Sequence, residues 1–587
     1  MSDLVTGAGA GDSAKSIVWR TLFRRKRIFS NALFATFIIN TLALATAFFT
    51  MQVYDRVIPH AGFETLAVLA AGVLVALLFD LILKQVRSHL MDREGTQIDI
   101  ELSDWFFRRA QGIRMEARPA ALGTLAAQIK GLEYVRGALS SSSLFLLADL
   151  PFALVFVGVI WFIGGPLALI PLTLLPIALI IGVITQKRVE KAIAANQGHQ
   201  NLKAGLLVEA IDGIENIKAT GHETGLRDAW RNLLYRAGHD DNRVKAASAL
   251  SGNVTQSLQQ FSYVTLISGG AFLAVQGQLS MGALIACSII SQRALGPIAR
   301  FPSVLVQITH AKVALKNLDQ LLSLPNEDDE EQRTLNPDVT GNGLRFDRVT
   351  FGYGENQRPA LDIGQLEIKP GERVGVIGGI GSGKSTLLKV ASGLYRPQQG
   401  QTYLGGLDMA YIRHERLRQL IAYLPQDLRL TQGTLRENLT RGIDDPGDQA
   451  LLDAAQRTGL IDLINNNPMG LELPIIEGGR GTSGGQKQLI GLTRLLLSPA
   501  SVYMLDEPTA SMDTMTESRA THLFRQLADE GNTLLISTHK PALLPIVDRL
   551  LVIMNGQIVM DGSREDVLQE MARKKSAVED RRTREAV

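Results

Sequence analysis

The chain has 587 residues and a formal net charge of only +2, with 60 basic and 58 acidic residues. This near balance gives no global attraction to nucleic acid, and the length is sufficient for several domains. A single cysteine, Cys287, excludes an intrachain disulfide and lies in an apolar run, which indicates a small buried hydrophobic residue.

The first three hundred residues alternate between uncharged apolar runs and charged helical runs. Residues 1–27 are predicted to be an amino-terminal lead-in, of which residues 1–19 read as mobile and the rest holds a basic cluster. Residues 28–54 carry no charge. A membrane helix needs about 20 apolar residues, so this run spans a membrane. Runs over residues 65–82, 150–186 and 246–292 follow, and turn residues at 164–166 and 276–280 divide the last two. Together they predict six crossings within residues 28–324, because a soluble core of that size exceeds what this length supports.

Basic residues concentrate between crossings two and three and between crossings four and five, whereas the other connections contain only Arg56. This asymmetry predicts that both termini and both long connections are cytoplasmic. Since the long connections are rich in helix formers, we expect helices that project from the membrane. Asp149 and Arg293 are the costliest charges within the crossings. Each is a candidate for a pathway or for pairing, and an interfacial position is the alternative.

The second half has a different composition. Residues 325–343 form an acidic linker punctuated by Pro and Gly, and a separate soluble α/β domain is expected over residues 344–565. Residues 566–587 are predicted to be a charged tail, which after Met571 is expected to be solvated and partly disordered.

An apolar run at residues 374–377 is followed by a glycine-rich segment with the spacing of a phosphate-binding loop. The segment reads Gly378, Gly379, Ile380, Gly381, Ser382, Gly383, Lys384 and Ser385. Its glycines allow backbone N–H groups to approach phosphate oxygens, and the helix that opens at Thr386 adds its positive end. Lys384 can reach the terminal phosphates, and the Ser385 hydroxyl can bind Mg²⁺. A chance glycine-rich turn is the alternative.

Two further segments favour phosphate chemistry. Residues 501–505 read as a buried strand that delivers Asp506 and Glu507, where Asp506 can hold Mg²⁺ and Glu507 can polarise an attacking water. A pair of structural acids is the alternative. A second anion-binding helix start comprises Ser483, Gly484, Gly485 and Gln486, and it is surplus unless it serves a different molecule.

Seven motifs stand in the order and at the spacing of an ABC-transporter ATPase domain. They are Tyr353, the phosphate loop, Gln426, Ser483 to Gln486, Asp506-Glu507, Asp513 and His539. With six crossings ahead of them, the chain resembles an exporter-type half-transporter. The implied fold is a six-helix transmembrane bundle, with helices extended into the cytoplasm, fused to an α/β phosphate-loop ATPase domain.

The resemblance implies ATP and Mg²⁺ as cofactors. Tyr353 would stack on adenine, and the loop from Gly378 to Thr386 together with Asp513 would contact ATP. The Mg²⁺ ligands would be Ser385, Gln426 and Asp506. Lys384, Glu507 and His539 would serve catalysis, with Glu507 as the base. Ser483, Gly484, Gly485 and Gln486 would close over the nucleotide of a second copy, which implies a homodimer.

A finer resemblance lies at residues 51–59, 380–386 and 477–481, which look like the ATPase and permease of bacterial type I secretion systems. It implies an inner-membrane location, a secreted protein as cargo, a periplasmic adaptor, an outer-membrane channel and contact with lipid. Only about 27 residues precede the first crossing, so no cargo-cleaving peptidase is expected. By resemblance, segments near residues 115–122 and 219–226 would contact the ATPase domain.

Two other functions are open. An exporter or flippase of lipid, drug or small peptide is the alternative, and a non-pumping scaffold is a third function that the intact Glu507 and His539 argue against. Thr482 stands where the family usually has Leu, and we expect altered packing there without loss of activity.

Overall fold

The computed structural model of the chain describes residues 12–119, 122–139, 145–146, 148–327, 336, 341–354 and 358–585. These residues divide into two compact units. The first is formed by the chain up to Ile113 and from Arg118 to Pro325. The second comprises Arg114–Ala117 and the chain from Asn326 onward. Most of the predicted linker lies outside the described residues.

Long helices build the first unit, because a helix pairs its own backbone groups where lipid offers no partners. Their bounds are Ala14–Arg24, Lys26–Leu42, Leu44–Gln52, Ile58–His60, Phe63–Gln111, Leu122–Lys130, Leu132–Ala138, Phe152–Gly164, Leu169–Asp212, Ile214–Thr220, Glu223–Val275 and Met281–Leu322.

Five stretches of the described chain are long and apolar enough to cross a membrane. They are Lys26–His60, Phe63–Gln111, Phe152–Asp212, Glu223–Val275 and Met281–Leu322. The third holds two of the predicted crossings, since the turn Gly165–Ala168 interrupts its helix as predicted. There Gly165 adopts a φ of 53°, a backbone conformation that side chains disfavour. The start predicted for that crossing, near Ser141, lies outside the described residues.

The helices run well past their apolar stretches. Phe63–Gln111 has 49 residues, which at about 1.5 Å per residue is more than twice the roughly 30 Å of a hydrocarbon core. Leu169–Asp212 and Glu223–Val275 are similarly long. The predicted helices that project from the membrane are therefore confirmed.

The amino-terminal segment differs from its prediction. Residues 14–24 form a helix whose first turn is capped by Ser13, since the Ser16 N–H donates to the Ser13 hydroxyl at 3.2 Å. Ala14, Ile17, Val18 and Thr21 are buried at helical spacing, and Ile17 and Val18 share a core cluster with Ile98. The prediction that residues 1–19 are mobile was wrong for residues 14–19, because it gave weight to small polar residues and overlooked this buried stripe.

The charges inside the predicted crossings have polar partners on other helices. Asp149 accepts a hydrogen bond from Asn40 at 2.9 Å and lies 3.9 Å from the guanidinium of Arg87. Arg293 donates to the Thr46 hydroxyl at 3.3 Å. Such pairing lowers the cost of burying a charge. These contacts therefore support the prediction that Asp149 and Arg293 are paired.

Residues 51–59, which resemble a segment of type I secretion ATPases, contain a residue that caps a distant helix. Asp55 lies in the π-helical turn Val53–Val57. Its carboxylate accepts hydrogen bonds from the Ser280 hydroxyl at 2.6 Å and from the Gly282 N–H at 2.8 Å. This negative charge sits at the positive end of the helix Met281–Leu322, where it is stabilising.

Strands and short helices build the second unit. Its strands are β1 (Leu344–Phe351), β2 (Leu361–Ile368), β3 (Arg373–Ile377), β4 (Gln399–Leu404), β5 (Leu407–Asp408), β6 (Ile421–Leu424), β7 (Gly433–Thr434), β8 (Pro474–Ile475), β9 (Val502–Asp506), β10 (Thr533–Ser537), β11 (Arg549–Met554) and β12 (Gln557–Ser563). Its α-helices are Lys384–Ala391, His414–Leu420, Leu435–Thr440, Asp448–Thr458, Ile461–Asn465, Gly484–Leu496, Thr514–Asp529 and Arg564–Glu585. The last helix corrects the prediction of a partly disordered tail.

The main sheet runs in the order β12-β11-β3-β10-β9-β6, and an antiparallel sheet runs in the order β2-β1-β4-β5. In the main sheet, β11, β3, β10, β9 and β6 are parallel neighbours. Their apolar residues are buried on both faces, as in parallel sheets that helices cover. The carboxyl ends of these strands therefore meet at one edge.

Candidate active site

Four of the predicted site segments leave that edge. The phosphate loop follows β3, His539 follows β10, Glu507 follows β9 and Gln426 follows β6. Since β10 lies between β3 and β9, His539 emerges between the loop and Glu507. Ligands of open parallel sheets bind at such carboxyl edges.

The phosphate loop is shaped by glycine and lysine. Gly383 adopts a φ of 110°, and an added Cβ would lie 2.7 Å from the carbonyl oxygen of Ala360. The buried Lys384 donates from Nζ to the carbonyl oxygens of Gly378 and Gly379, each at 3.0 Å. These bonds hold the ammonium against the loop, where a phosphate would bind.

Other loop residues differ in exposure. Ile380 is fully exposed at the tip, whereas Ser382 is buried, and its hydroxyl has no hydrogen-bond partner among the described residues. Ser385 and Thr386 open the following helix, and the Thr386 hydroxyl lies 3.0 Å from the phenol oxygen of Tyr353. The Tyr353 ring is half exposed. An unpartnered buried hydroxyl within a phosphate loop points to an absent oxygen ligand.

At the end of β9, two acids adopt different environments. Asp506 is buried and accepts a 2.5 Å hydrogen bond from the Ser537 hydroxyl. Glu507 follows with a φ of 48°, in the left-handed region that costs a residue with a side chain about 1–2 kcal/mol. Its N–H donates to the Ser537 carbonyl oxygen at 3.1 Å. Such strain is found where function requires a particular orientation.

The Glu507 carboxylate is buried beside His539. The His539 N–H donates to Oε2 of Glu507 at 3.4 Å, and the imidazole Nε2 lies 3.5 Å from Oε1. Oε1 has no hydrogen-bond partner among the described residues. A buried carboxylate oxygen that lacks a donor is available to accept a proton from water.

The sequence analysis missed Gln488, whose side chain forms hydrogen bonds with the backbone of Glu507 and Ser511. The amide Nε2 of Gln488 donates to the Glu507 carbonyl oxygen at 3.4 Å, and its Oε1 accepts from the Ser511 N–H at 3.2 Å. Gln488 is buried in the helix Gly484–Leu496, alongside apolar residues such as Ile490 and Leu492. That buried polar position was the available signal, because buried amides are hydrogen-bonded.

The second anion-binding helix start is exposed. Ser483 and Gln486 form a capping box, in which each side chain accepts from the backbone N–H of the other, at 3.2 and 2.9 Å. In the described part of this unit, the side-chain hydrogen bonds of these two residues remain within that box. Asp513 caps the next helix by accepting from the Thr516 N–H at 2.7 Å, which lowers the pKa of its carboxyl. Among the described residues, none of these side-chain hydrogen bonds reaches the phosphate loop.

Comparisons with known proteins agree with this geometry. A family model described as ABC transporter matches residues 361–510, and a model described as ABC transporter transmembrane region matches residues 29–297. The chain belongs to the ABC transporters. It is therefore a multi-pass membrane protein that binds nucleotide and couples ATP hydrolysis to transport.

Relatives of this ABC transporter include the leukotoxin translocation ATP-binding proteins LktB of Mannheimia haemolytica and Bibersteinia trehalosi. Each is 28% identical over 555 residues, which cover 93% of this chain and 77% of the relative. A solved bacterial Atm1-family ABC exporter with ATP bound has a TM-score of 0.84 at 20% identity, over 93% of this chain and 97% of that one. At that identity the likeness shows the exporter fold alone.

The donors at the transporter's predicted metal position suit magnesium. Ser385, Gln426 and Asp506 offer a hydroxyl, an amide oxygen and a carboxylate, the hard oxygen ligands that Mg²⁺ prefers. The Ser537 hydroxyl occupies Oδ1 of Asp506, and Gln426 is exposed at the end of β6. The residues present therefore fit the ion.

Proposed function

We propose that this transporter is the inner-membrane ATPase and permease of a bacterial type I secretion system, and that it moves an unfolded protein with a C-terminal signal out of the cell. The observation that supports this most is the similarity to leukotoxin translocation proteins over nearly the whole chain. A periplasmic adaptor and an outer-membrane channel would be its partners, and both termini would be cytoplasmic.

The proposed hydrolytic site begins at the phosphate loop. Tyr353 stacks on adenine, and the loop N–H groups with Lys384 hold the phosphates. Ser385, Gln426 and Asp506 would hold Mg²⁺, which would supply positive charge to neutralise the phosphate oxygens. The hydrogen bond from Ser537 orients the Asp506 carboxylate toward that position.

Glu507 acts as the base. Its Oε1, which has no hydrogen-bond donor among the described residues and lies 3.5 Å from the His539 imidazole, accepts a proton from the attacking water. The strained backbone and the hydrogen bond from Gln488 keep the carboxylate oriented. His539 lies between β3 and β9 and contacts the γ-phosphate from its ring. A positioned base of this kind contributes about 10²–10⁴-fold to the rate.

The remaining donors come from a second copy. The exposed helix start at Ser483 offers N–H groups and a positive helix end, yet among the described residues the side-chain hydrogen bonds of Ser483 and Gln486 stay in their own capping box. A homodimer places each such helix start over the nucleotide of the partner, which accounts for two phosphate-facing helix starts in one chain. Asp513 would enter the same shared site.

Binding of ATP would then clamp two ATPase domains, and hydrolysis would release them, so that transport follows from unequal affinity for two states. The short helix Met115–Ala117 falls in the same compact unit as the ATPase strands, which supports the predicted contact segment near residues 115–122. Burial raises the pKa of the Glu116 carboxyl in this segment.

A comparison of proteins outside cells tests the proposal. Cells would carry the native chain, Glu507→Gln, or the control Glu530→Gln, whose side chain is exposed at the surface. We expect one large protein to disappear from the medium only with Glu507→Gln. An unchanged exterior with altered membrane lipids would contradict the proposal and favour a lipid exporter.

A further inference from the structure

Four helices of the first unit enclose a cavity of about 320 Å³. The helices are Leu122–Lys130 with its continuation Leu132–Ala138, Leu169–Asp212, Glu223–Val275 and Met281–Leu322. Space remains between them because several residues that face it, among them Ala127, Gly131 and Ala314, have little or no side chain. The volume lies at the lower end of the range for ligand sites, about 300–1,000 Å³.

The cavity lies outside the apolar part of the helices. Gln197, in its wall, is ten residues beyond Lys187, the first charge after the uncharged run. At about 1.5 Å per residue, Gln197 is roughly 15 Å past the end of that run. In the proposed orientation the cavity is therefore on the cytoplasmic side, where cargo enters.

The lining is rich in neutral amides and aromatic rings. It includes Gln128, Tyr134, Gln197, Asn201, Trp230 and Asn317. The charged residues at its edge, Lys130, Lys203 and Glu133, have both signs, so the site is not built for phosphate. An amide side chain both donates and accepts, which matches the N–H and C=O groups that every residue of an extended chain presents.

One lining amide has an unused acceptor. Gln197 is 5% exposed, and its Nε2 donates to the His310 carbonyl oxygen at 3.3 Å. Its Oε1 has no hydrogen-bond partner among the residues that the structure describes. The ring of His310 stacks on Tyr134 with centroids 5.0 Å apart. A buried acceptor without a donor leaves one hydrogen bond unmade, and an N–H of a ligand would supply it.

We propose that this cavity is a subsite for a short extended polypeptide segment, with Gln197 Oε1 accepting a backbone N–H and the Trp230 and Tyr134 rings contacting side chains. This inference rests on the proposed function, since the polypeptide is the exported protein. Recognition through backbone groups would allow one site to bind successive segments of an unfolded chain, whatever their sequence.

The experiment measures the binding of a synthetic, fluorescein-labelled peptide to the full-length protein in detergent, by fluorescence anisotropy. The peptide has about 20 residues and is rich in Ser, Gln and Gly, a composition that buries too little apolar surface to fold. Gln197→Leu removes the acceptor, and Gln200→Leu changes a less buried amide of the same lining. Asn232→Leu is the matched control, because Asn232 is exposed on the Trp230 helix outside the cavity.

We expect Gln197→Leu to raise the Kd about tenfold, which is the effect of leaving one N–H of the bound peptide unpaired. Gln200→Leu should raise the Kd by less, and Asn232→Leu should leave it unchanged. If Gln197→Leu loses its thermal transition, the comparison of Gln200→Leu with Asn232→Leu decides. Equal Kd values in all variants would overturn the subsite and leave the secretion proposal intact. A native protein that neither binds the peptide nor loses its cargo secretion on Glu507→Gln would overturn both.

Discussion

The left-handed backbone of Glu507 allows a sharp test with two truncations, Glu507→Gly and Glu507→Ala. Both remove the carboxylate, but only glycine adopts a φ of 48° without strain. Relief of that strain is worth about 1–2 kcal/mol. The greater freedom of glycine in the unfolded chain opposes it by about 0.5–1 kcal/mol. We therefore expect the glycine variant to be the more stable by about 0.5–1 kcal/mol.

Calorimetry of the full-length protein without nucleotide measures this difference. The transition that shifts when Mg²⁺ and ATP are added belongs to the ATPase domain. For a domain of this size, the expected difference corresponds to about 1–4 °C in Tm. The control is Gln526→Gly against Gln526→Ala, an exposed position inside the helix Thr514–Asp529. There alanine should be the more stable by about 0.5–1 kcal/mol. If Glu507→Gly melted at or below Glu507→Ala, the strain argument would be refuted.

Three further predictions concern the phosphate loop, the helix cap at Asp55 and the metal ligand Asp506. Gly383→Ala should weaken ATP binding at least about tenfold, because its Cβ would meet a backbone carbonyl, whereas Gly379→Ala, which meets nothing within 4 Å, should bind like the native protein. Asp55→Ala should lower the free energy of unfolding by about 1 kcal/mol through loss of a helix cap, and Asp55→Asn, which retains one acceptor oxygen, by less. Asp506→Asn should raise the Mg²⁺ concentration needed for half-maximal ATPase activity at least about tenfold.

Each of these expectations has a result that contradicts it. Isothermal titration giving equal ATP affinity for the two glycine variants would show that the loop tolerates a side chain at position 383. A thermal midpoint of Asp55→Ala equal to that of the native protein would show that the cap contributes nothing. An unchanged Mg²⁺ dependence in Asp506→Asn would remove this carboxylate from the metal site.

Elements that depend on a short stretch of sequence could be predicted from it. Uncharged runs located the membrane helices, and Gly165 and Pro166 marked a real break because one supplies a positive φ and the other lacks an N–H. The strands beside the phosphate loop and before Asp506 were equally predictable, since each is a short apolar run bounded by turn residues.

Contacts between distant residues were not predictable in this way. Asp55 caps a helix that begins more than 220 positions later, and no local pattern announces such a pair. Gln488 reaches Glu507 only because the helix Gly484–Leu496 packs on the sheet. The left-handed φ of Glu507 is likewise imposed by its surroundings, since glutamate has no preference for that conformation.

The two helices that were predicted as mobile or disordered show a different failure. Ala14–Arg24 has few apolar residues, yet Ile17 and Val18 are placed to pack on another helix. The tail begins with Val567 buried in the core of the ATPase domain, which anchors the helix Arg564–Glu585. The prediction relied on the polar and charged composition of both segments, and it gave too little weight to the few apolar residues that fix each helix to the protein.

The central claim is that each nucleotide is held between two copies of the chain, and complementation tests it most directly. Lys384→Ala impairs the phosphate loop and Ser483→Arg blocks the opposing helix start, so each variant alone should lack ATPase activity. When both are expressed together, half of the dimers should be mixed and contain one intact site, which restores about a quarter of the native rate. A mixture as inactive as either variant alone would contradict shared sites.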